Sequence, residues 1–417
     1  MALAAFFCTF AAQSSSMNWI RPSVSGNIPR LYIIKTAKWF MLTMPILMLY
    51  YKDMGFTTEQ AFRLKAIYSI AIVLFEIPSG YLADILGRKT TLLAGGIFGT
   101  LGFVIYATTG TYLWFILAEV TLGIGQSLIS GADSAMLYDT LQAQKRQNQY
   151  TRYEGINTSV GNFAEALGAI LGGALAEVSL RLPFIGQSFI AFMAIPAALT
   201  LVEPERLQRQ VKSGFLDILK IVHYALVVNK DLRWGLVYSS LIGTATLTMA
   251  WVYQLELHAF GFSEFYIGAT ATGLNLVVGL VTLTAWKAER DLRPRLLIPL
   301  ITLVITGGFV AGGLAGSWLP FMLVLLVFYM ARGIATPVLK NIVNVMAPSE
   351  VRATVLSIRS LIIRAFFAVI APFFGWTADL LTLGQALIIT GLVFALACAF
   401  IIMLFIQSLE NPQTQKK

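Results

Sequence analysis

The sequence contains few residues of the types that most enzyme sites need. Its 417 residues include only two cysteines and two histidines, and 12% of them are charged. Cys8 and Cys398 lie far apart and lack a metal-ligand spacing, so we expect neither a disulfide framework nor a zinc site. Neither a glycine-rich phosphate loop nor a GxSxG turn is present. We therefore predict a protein that is not an enzyme and has no catalytic residues, metal or other cofactor.

The chain is instead rich in long apolar runs. Hydrophobic residues make up 57% of the 417 positions, or about 238 residues, and about twelve membrane-spanning helices of roughly 20 residues each would need about 240. In a bilayer a spanning segment must satisfy its own backbone hydrogen bonds, so each run is predicted to be a helix. The composition predicts an all-α integral membrane protein with twelve transmembrane helices.

The apolar runs divide the chain into two similar parts. We predict an N-terminal segment 1–30, a six-helix half 31–202, a linker 203–233, a second six-helix half 234–406 and a tail 407–417. The first helix is predicted over Leu31–Tyr50 as one continuous span. In the linker, the apolar spacing over Phe215–Val228 favours an amphipathic helix on the membrane surface, and the alternative is a linker without stable structure.

The positions of lysine and arginine predict the orientation. About twenty of them lie at helix ends on the side that carries both termini and the linker, and basic residues are retained on the cytoplasmic side. The opposite side has Lys52, Arg63, Lys65 and Arg181. We expect a monomer in the cell inner membrane with both termini cytoplasmic. The net charge of +9 then reflects topology and contact with lipid headgroups, so nucleic acid is not an expected partner.

The loop between predicted helices 2 and 3 carries a specific motif, Gly80-Tyr-Leu-Ala-Asp84-Ile-Leu-Gly87-Arg88-Lys89. It resembles the GxLADxxGRK signature of the major facilitator superfamily. The resemblance implies a secondary transporter with two pseudo-symmetric six-helix halves, and a latch in which the aspartate pairs with basic residues and the start of helix 11. The residues expected in this latch are Gly80, Asp84, Gly87, Arg88, Lys89, Arg352 and Arg359.

Helix 5 contains a second glycine motif, Gly168-Ala169-Ile-Leu-Gly172-Gly173. It is similar to the family's antiporter motif GPxxGG, with Ala169 at the proline position. The resemblance favours export, and the alternative is that these small residues serve close helix packing.

A few ionisable residues lie deep inside predicted spans, where insertion costs about 2.5 to 3.5 kcal/mol each, so they are candidates for function. They are Lys38, Glu119, Glu165, Arg332 and Arg364. Glu119 and Glu165 are expected to change protonation as the cavity opens to either side. Lys38 and Arg364 are expected to pair with these carboxylates at rest or to hold an anionic group of the substrate. The alternative for each residue is a static ion pair between helices.

Polar and aromatic side chains on neighbouring helices could complete a substrate site. They are Trp251, Tyr253, Gln254, Asn275 and Tyr329, and the alternative is that they pack against lipid or other helices. The function predicted from all of these features is proton-coupled export of a small, amphipathic or partly charged molecule by alternating access. Two alternatives stay open: an importer or uniporter of a metabolite, which could be anionic, and a membrane receptor or scaffold that does not transport.

Overall fold

The computed structural model describes residues 23–204, 220–292, 294–348 and 351–409. Within these ranges, twelve helices are long and apolar enough to cross a membrane, as the composition predicts. In chain order they are α1 (Asn27–Trp39 and Leu47–Asp53), α2 (Thr58–Leu86), α3 (Arg88–Thr108), α4 (Tyr112–Ala143), α5 (Tyr150–Val178), α6 (Leu182–Phe192 and Ala194–Leu199), α7 (Lys230–Ala259), α8 (Glu264–Thr282), α9 (Pro294–Leu314), α10 (Trp318–Met346), α11 (Arg352–Leu380) and α12 (Leu383–Leu409).

Two ends of the bundle serve as reference directions below. The linker side is the end where α2 meets α3 and where α6 leads into the linker. The far side is the end where α1 meets α2 and where α11 meets α12. The predicted surface helix Phe215–Val228 falls partly outside the described residues. Its described part is helical from Lys220 and ends in a π-helical turn, Tyr224–Val228.

The first span is not the continuous helix that the sequence predicts. The backbone leaves the helical conformation over residues 40–43, and a 3-10 turn, Met44–Ile46, precedes the second segment. Unpaired backbone groups are costly at membrane depth. Here the amide N–H of Leu42 donates to Gln187 Oε1 (2.8 Å), and Gln254 Nε2 donates to the carbonyl oxygen of Met44 (3.0 Å). Two glutamines from α6 and α7 therefore stabilise the break.

Close packing around this break uses the glycine motif of α5. A Cβ atom at Gly172 would lie 1.9 Å from the carbonyl oxygen of Leu42, and one at Gly168 would lie 2.8 Å from the nitrogen of Met41. A Cβ atom at Gly173 would lie 2.6 Å from the carbonyl oxygen of Glu264 in α8. These contacts account for all three glycines by helix packing, the alternative that the sequence left open.

The halves contact each other mainly along α2 with α11 and α5 with α8. On the far side, the carboxylate of Asp379 accepts from the backbone amides of Thr58 (2.8 Å) and Glu59 (2.7 Å), so the end of α11 caps the start of α2. Lys52 Nζ lies 3.9 Å from the same carboxylate. Ser263 donates to Glu177 (2.6 Å) and joins α8 to the end of α5. These bonds hold the two halves together on the far side.

Candidate functional site

A buried carboxylate lies at the centre of the N-terminal half. Glu119 of α4 is 0% exposed, and its Oε1 is 2.5 Å from Lys65 Nζ. The hydroxyl groups of Tyr51 and Tyr106 donate to the same oxygen over 2.5 and 2.6 Å. One ammonium and two hydroxyls therefore contact a single oxygen of this carboxylate, and Oε2 is buried without a hydrogen-bond partner in the described part of the chain.

The position of Lys65 corrects the sequence prediction. The charge count assigned Lys65 to the far-side surface, but it is only 5% exposed and forms the ion pair with Glu119. Its helix starts at a capping box made by Thr57 and Gln60, which places Lys65 about two turns inside α2. The predicted second span, Gln60–Tyr81, already contains Lys65, so what the charge count missed is the direction of its side chain.

Lys65 also connects the two halves electrostatically. Its ammonium lies 5.1 Å from the ring centroid of Trp251 in α7 and 5.3 Å from that of Tyr68 in α2. Cation–π contacts of this kind are stronger where water is excluded. A residue expected to take part in substrate stacking, Trp251, thus contacts the buried ion pair.

The central cavity lies between the halves, beside this ion pair. Its volume is about 1370 Å³ including its open part, and its charged lining residues are Lys38, Lys65, Glu119 and Arg364. Lys65 and Glu119 compensate each other. Within the described part of the chain, neither Lys38 nor Arg364 has an ion-pair or hydrogen-bond partner, and the Arg364 guanidinium lies 6.0 Å from the Tyr68 ring centroid. The lining therefore carries two basic side chains that form no direct ion pair.

Two carboxylates lie near Lys38, and one of them, Asp133, pairs with another cation. Asp133 and Glu76 lie within electrostatic range of Lys38. Asp133 Oδ2 is 3.3 Å from Lys35 Nζ, and Glu76 Oε1 accepts from the hydroxyl of Ser130 over 2.8 Å. The expected resting pairs of Lys38 and Arg364 with Glu119 and Glu165 are therefore not formed. The second role predicted for these bases, contact with an anionic group of the substrate, stays a prediction.

A second cavity of about 440 Å³ gathers the other predicted site residues. Its lining includes Glu165, Tyr253, Gln254, Asn275, Tyr329 and Arg332. Asn275 Nδ2 donates to Glu165 Oε1 over 3.3 Å, and the Arg332 guanidinium lies 5.3 Å from the Tyr329 ring centroid. We call it the Glu165 cavity. Met41 and Met44, at the break in α1, line both this cavity and the central cavity.

The predicted latch residues lie at the linker side. Gly87 has φ +96°, which favours glycine, and the carboxylate of Glu203 accepts from the backbone amides of Arg88 (2.9 Å) and Lys89 (2.8 Å). Arg88 Nε is 3.0 Å from Asp139 Oδ2. The loop is thus fixed to the rest of the N-terminal half.

The other latch residues have these surroundings. Gly80 does not mark a close approach of two helices, because a Cβ atom there would have no described neighbour within 4 Å. Arg352 Nε donates to the carbonyl oxygen of Asn344 (3.0 Å), and Arg359 Nε donates to Ser239 Oγ (2.5 Å), both in the C-terminal half. Pairing of Asp84 with either arginine stays a prediction.

The sequence of this chain matches a known protein family and a curated relative. The family model described as Major Facilitator Superfamily matches residues 31–372, which is most of the chain. The chain is 24% identical over 174 residues to the quinolone resistance protein NorA of Staphylococcus aureus, a match that covers 42% of this chain and 43% of NorA. The chain therefore spans less than half the length of this curated relative.

Solved structures resemble the whole bundle. A bacterial homologue of the human lysosomal transporter Spinster, in an inward-facing and unoccupied conformation, superimposes with a TM-score of 0.77 and 15% identity over 93% of this chain and 99% of that chain. The nucleoside transporter NupG gives 0.76 and 15% over 95% and 100%. At these identities the likeness concerns the fold alone.

Proposed function

Because the chain belongs to the major facilitator superfamily and is a multi-pass membrane transporter, we propose that it exports an amphipathic anion by alternating access, coupled to protons. The observation that carries this proposal is the pair of basic side chains without a direct ion-pair partner, Lys38 and Arg364, in a cavity that also presents the rings of Tyr68 and Trp251. Cations without partners at membrane depth are costly unless a ligand compensates them. A carboxylate or similar anion attached to an apolar group matches this lining.

Two buried carboxylates are candidates for the proton, and their surroundings differ. Glu119 has Lys65 and two hydroxyl donors, which favour its charged form, whereas Glu165 has one amide donor and a guanidinium nearby. A neutral Glu165 loses fewer stabilising contacts than a neutral Glu119 would. We therefore assign the proton to Glu165, and we assign Glu119 the role of holding Lys65 beside the substrate.

The direction of transport is supported by resemblance. NorA is named for quinolone resistance, and its similarity to part of this chain favours export. The same cations would also suit an importer of an anionic metabolite, and the experiment below separates these directions. During transport, the contact between Asp379 and the start of α2 would break on the far side. On the linker side, Asp84 would pair with Arg352 or Arg359, and the cavity would close there.

The test uses proteoliposomes in which the linker side faces outward. Nalidixate, a quinolone carboxylate, is added outside with an acidic lumen, and its accumulation and the proton flux are measured together. We expect accumulation that needs the gradient. In Lys38→Gln and Arg364→Gln, we expect the KM to rise about tenfold, because each loses a charged contact.

The control is Arg63→Gln, which removes an exposed far-side charge of α2 and should leave KM unchanged. Accumulation that is independent of the pH gradient would show that proton coupling is wrong. A requirement for the opposite gradient would support the importer instead. Equal KM values for the wild type and both cavity variants would contradict the anion site.

A further inference from the structure

We propose that the central cavity continues into an apolar side pocket inside the N-terminal half, and that this pocket holds the apolar group of the transported anion. The inference rests on the proposed function and specifies the substrate class: an anion whose charged group lies at Lys38 and Arg364 and whose alkyl or aryl group extends behind α1. The walls of the side pocket come from α3, α4 and α6 and include Gly99, Phe103, Leu122, Ile129 and Ala191.

The break in α1 connects the two spaces. Met41 and Thr43, in and beside the non-helical stretch, line the same continuous cavity as Lys38 and as the α3 and α6 residues. Both α3 and α6 pack against helices of the N-terminal half. The cavity reaches from Arg364 of α11 to these two helices, and residues of the non-helical stretch of α1 are among those that line it.

Open space inside the side pocket is evident at Gly99. The buried residues Phe103 and Tyr106 follow it at i+4 and i+7, so Gly99 lies on the inward face of α3. A Cβ atom at Gly99 would have no described neighbour within 4 Å. By contrast, a Cβ atom at Gly102 would lie 2.5 Å from Leu122. The space at Gly99 is thus a local feature of an otherwise closely packed helix.

The chemistry of the two ends defines the ligand. The positive residues Lys38 and Arg364 are at the end near the interface. The side chains of Phe103, Leu122 and Ile129 behind α1 are apolar, and Gln126 of α4 is an uncharged polar residue of the same lining. An apolar group transferred from water into such a space is stabilised in proportion to its buried area. The same chemistry is shared by a membrane lipid with an anionic headgroup, so the experiment distinguishes a transported anion from a resident lipid.

The experiment measures the affinity of straight-chain carboxylates from butanoate to decanoate for the protein in neutral-lipid nanodiscs, by calorimetry with empty nanodiscs subtracted. For the wild type we expect Kd to fall about fourfold per methylene group. In Gly99→Leu, whose side chain fills the side pocket, the dependence on chain length should be lost. In Lys38→Gln, Kd should rise about tenfold at every length while the dependence on chain length is retained.

Gly307→Leu in α9 is the matched control, because a Cβ atom there also has no described neighbour within 4 Å and Gly307 does not line the cavity. If Gly99→Leu fails to fold, Ala191→Leu fills the space from α6. An unchanged chain-length dependence in the filled variant would overturn the inference. So would a stoichiometric lipid, found by mass spectrometry, that decanoate does not displace. Failure of the proposed function has a different signature: Lys38→Gln would leave every Kd unchanged.

Discussion

Removal of the ammonium from the Lys65–Glu119 pair should reveal how strongly this pair stabilises the fold. At 2.5 Å and an effective dielectric constant of about 20, the Coulomb attraction is roughly 6 to 7 kcal/mol before desolvation is counted. Loss of one partner of a buried ion pair costs about 3 to 5 kcal/mol. In Lys65→Met the hydroxyls of Tyr51 and Tyr106 still donate to Glu119, so we expect a loss near the lower end, about 3 kcal/mol.

The assay is chemical unfolding of the purified protein in detergent. The double variant Lys65→Met/Glu119→Gln should recover most of the loss, since neither charge is then left alone.

The matched control is Arg63→Met, two residues earlier in α2, whose exposed pair with Glu59 should contribute less than about 1 kcal/mol. The reasoning is refuted if the loss of unfolding free energy in the double variant equals the sum of the losses in Lys65→Met and Glu119→Gln within about 0.5 kcal/mol, because the two residues are then not coupled.

Three further predictions concern the gate, the proton and the packing. Asp379→Asn should weaken the cap on α2 by about 1 kcal/mol. A cysteine placed at Thr43 should therefore react about fivefold faster with a maleimide added from the far side. An unchanged rate would contradict the role of Asp379 in closing the far side. Glu165→Gln should abolish proton flux driven by substrate while exchange of labelled for unlabelled substrate continues, and normal coupling would remove Glu165 from the mechanism. Gly172→Ala should destabilise the protein by about 1 to 3 kcal/mol in unfolding measurements, because its Cβ atom would lie 1.9 Å from a backbone oxygen, whereas Gly99→Ala should have little effect.

Much of the fold could be predicted from the sequence because the bilayer restricts the choices. A long apolar run must be a helix in hydrocarbon, so counting the runs was enough to predict twelve spans in two groups of six. The Gly80–Lys89 motif and the matched residues 31–372 agree on the family. The deep positions of Glu119, Glu165 and Arg364 could also be counted along their helices, and these residues do line the two cavities.

Which charge lies beside which could not be predicted in this way. Lys65 and Glu119 are 54 positions apart, and Lys65 was placed at the surface because a charge count ignores the direction of a side chain. Pairing depends on how each helix is rotated about its axis, and that rotation is set by packing against other helices.

The sequence by itself determined the number of spans, their grouping and five of the six charged residues that line the two cavities, because hydropathy depends only on the order of residues along the chain. The tertiary structure decided that α1 breaks at residues 40–43. Pro45 follows the break, but Pro78 and Pro337 lie inside unbroken helices, so a proline alone does not decide it. The partners that stabilise the break, Gln187 and Gln254, come from α6 and α7. The tertiary structure also decided that Lys38 and Arg364 lack partners while Lys65 has one, which depends on distances between helices that no pattern along one chain records.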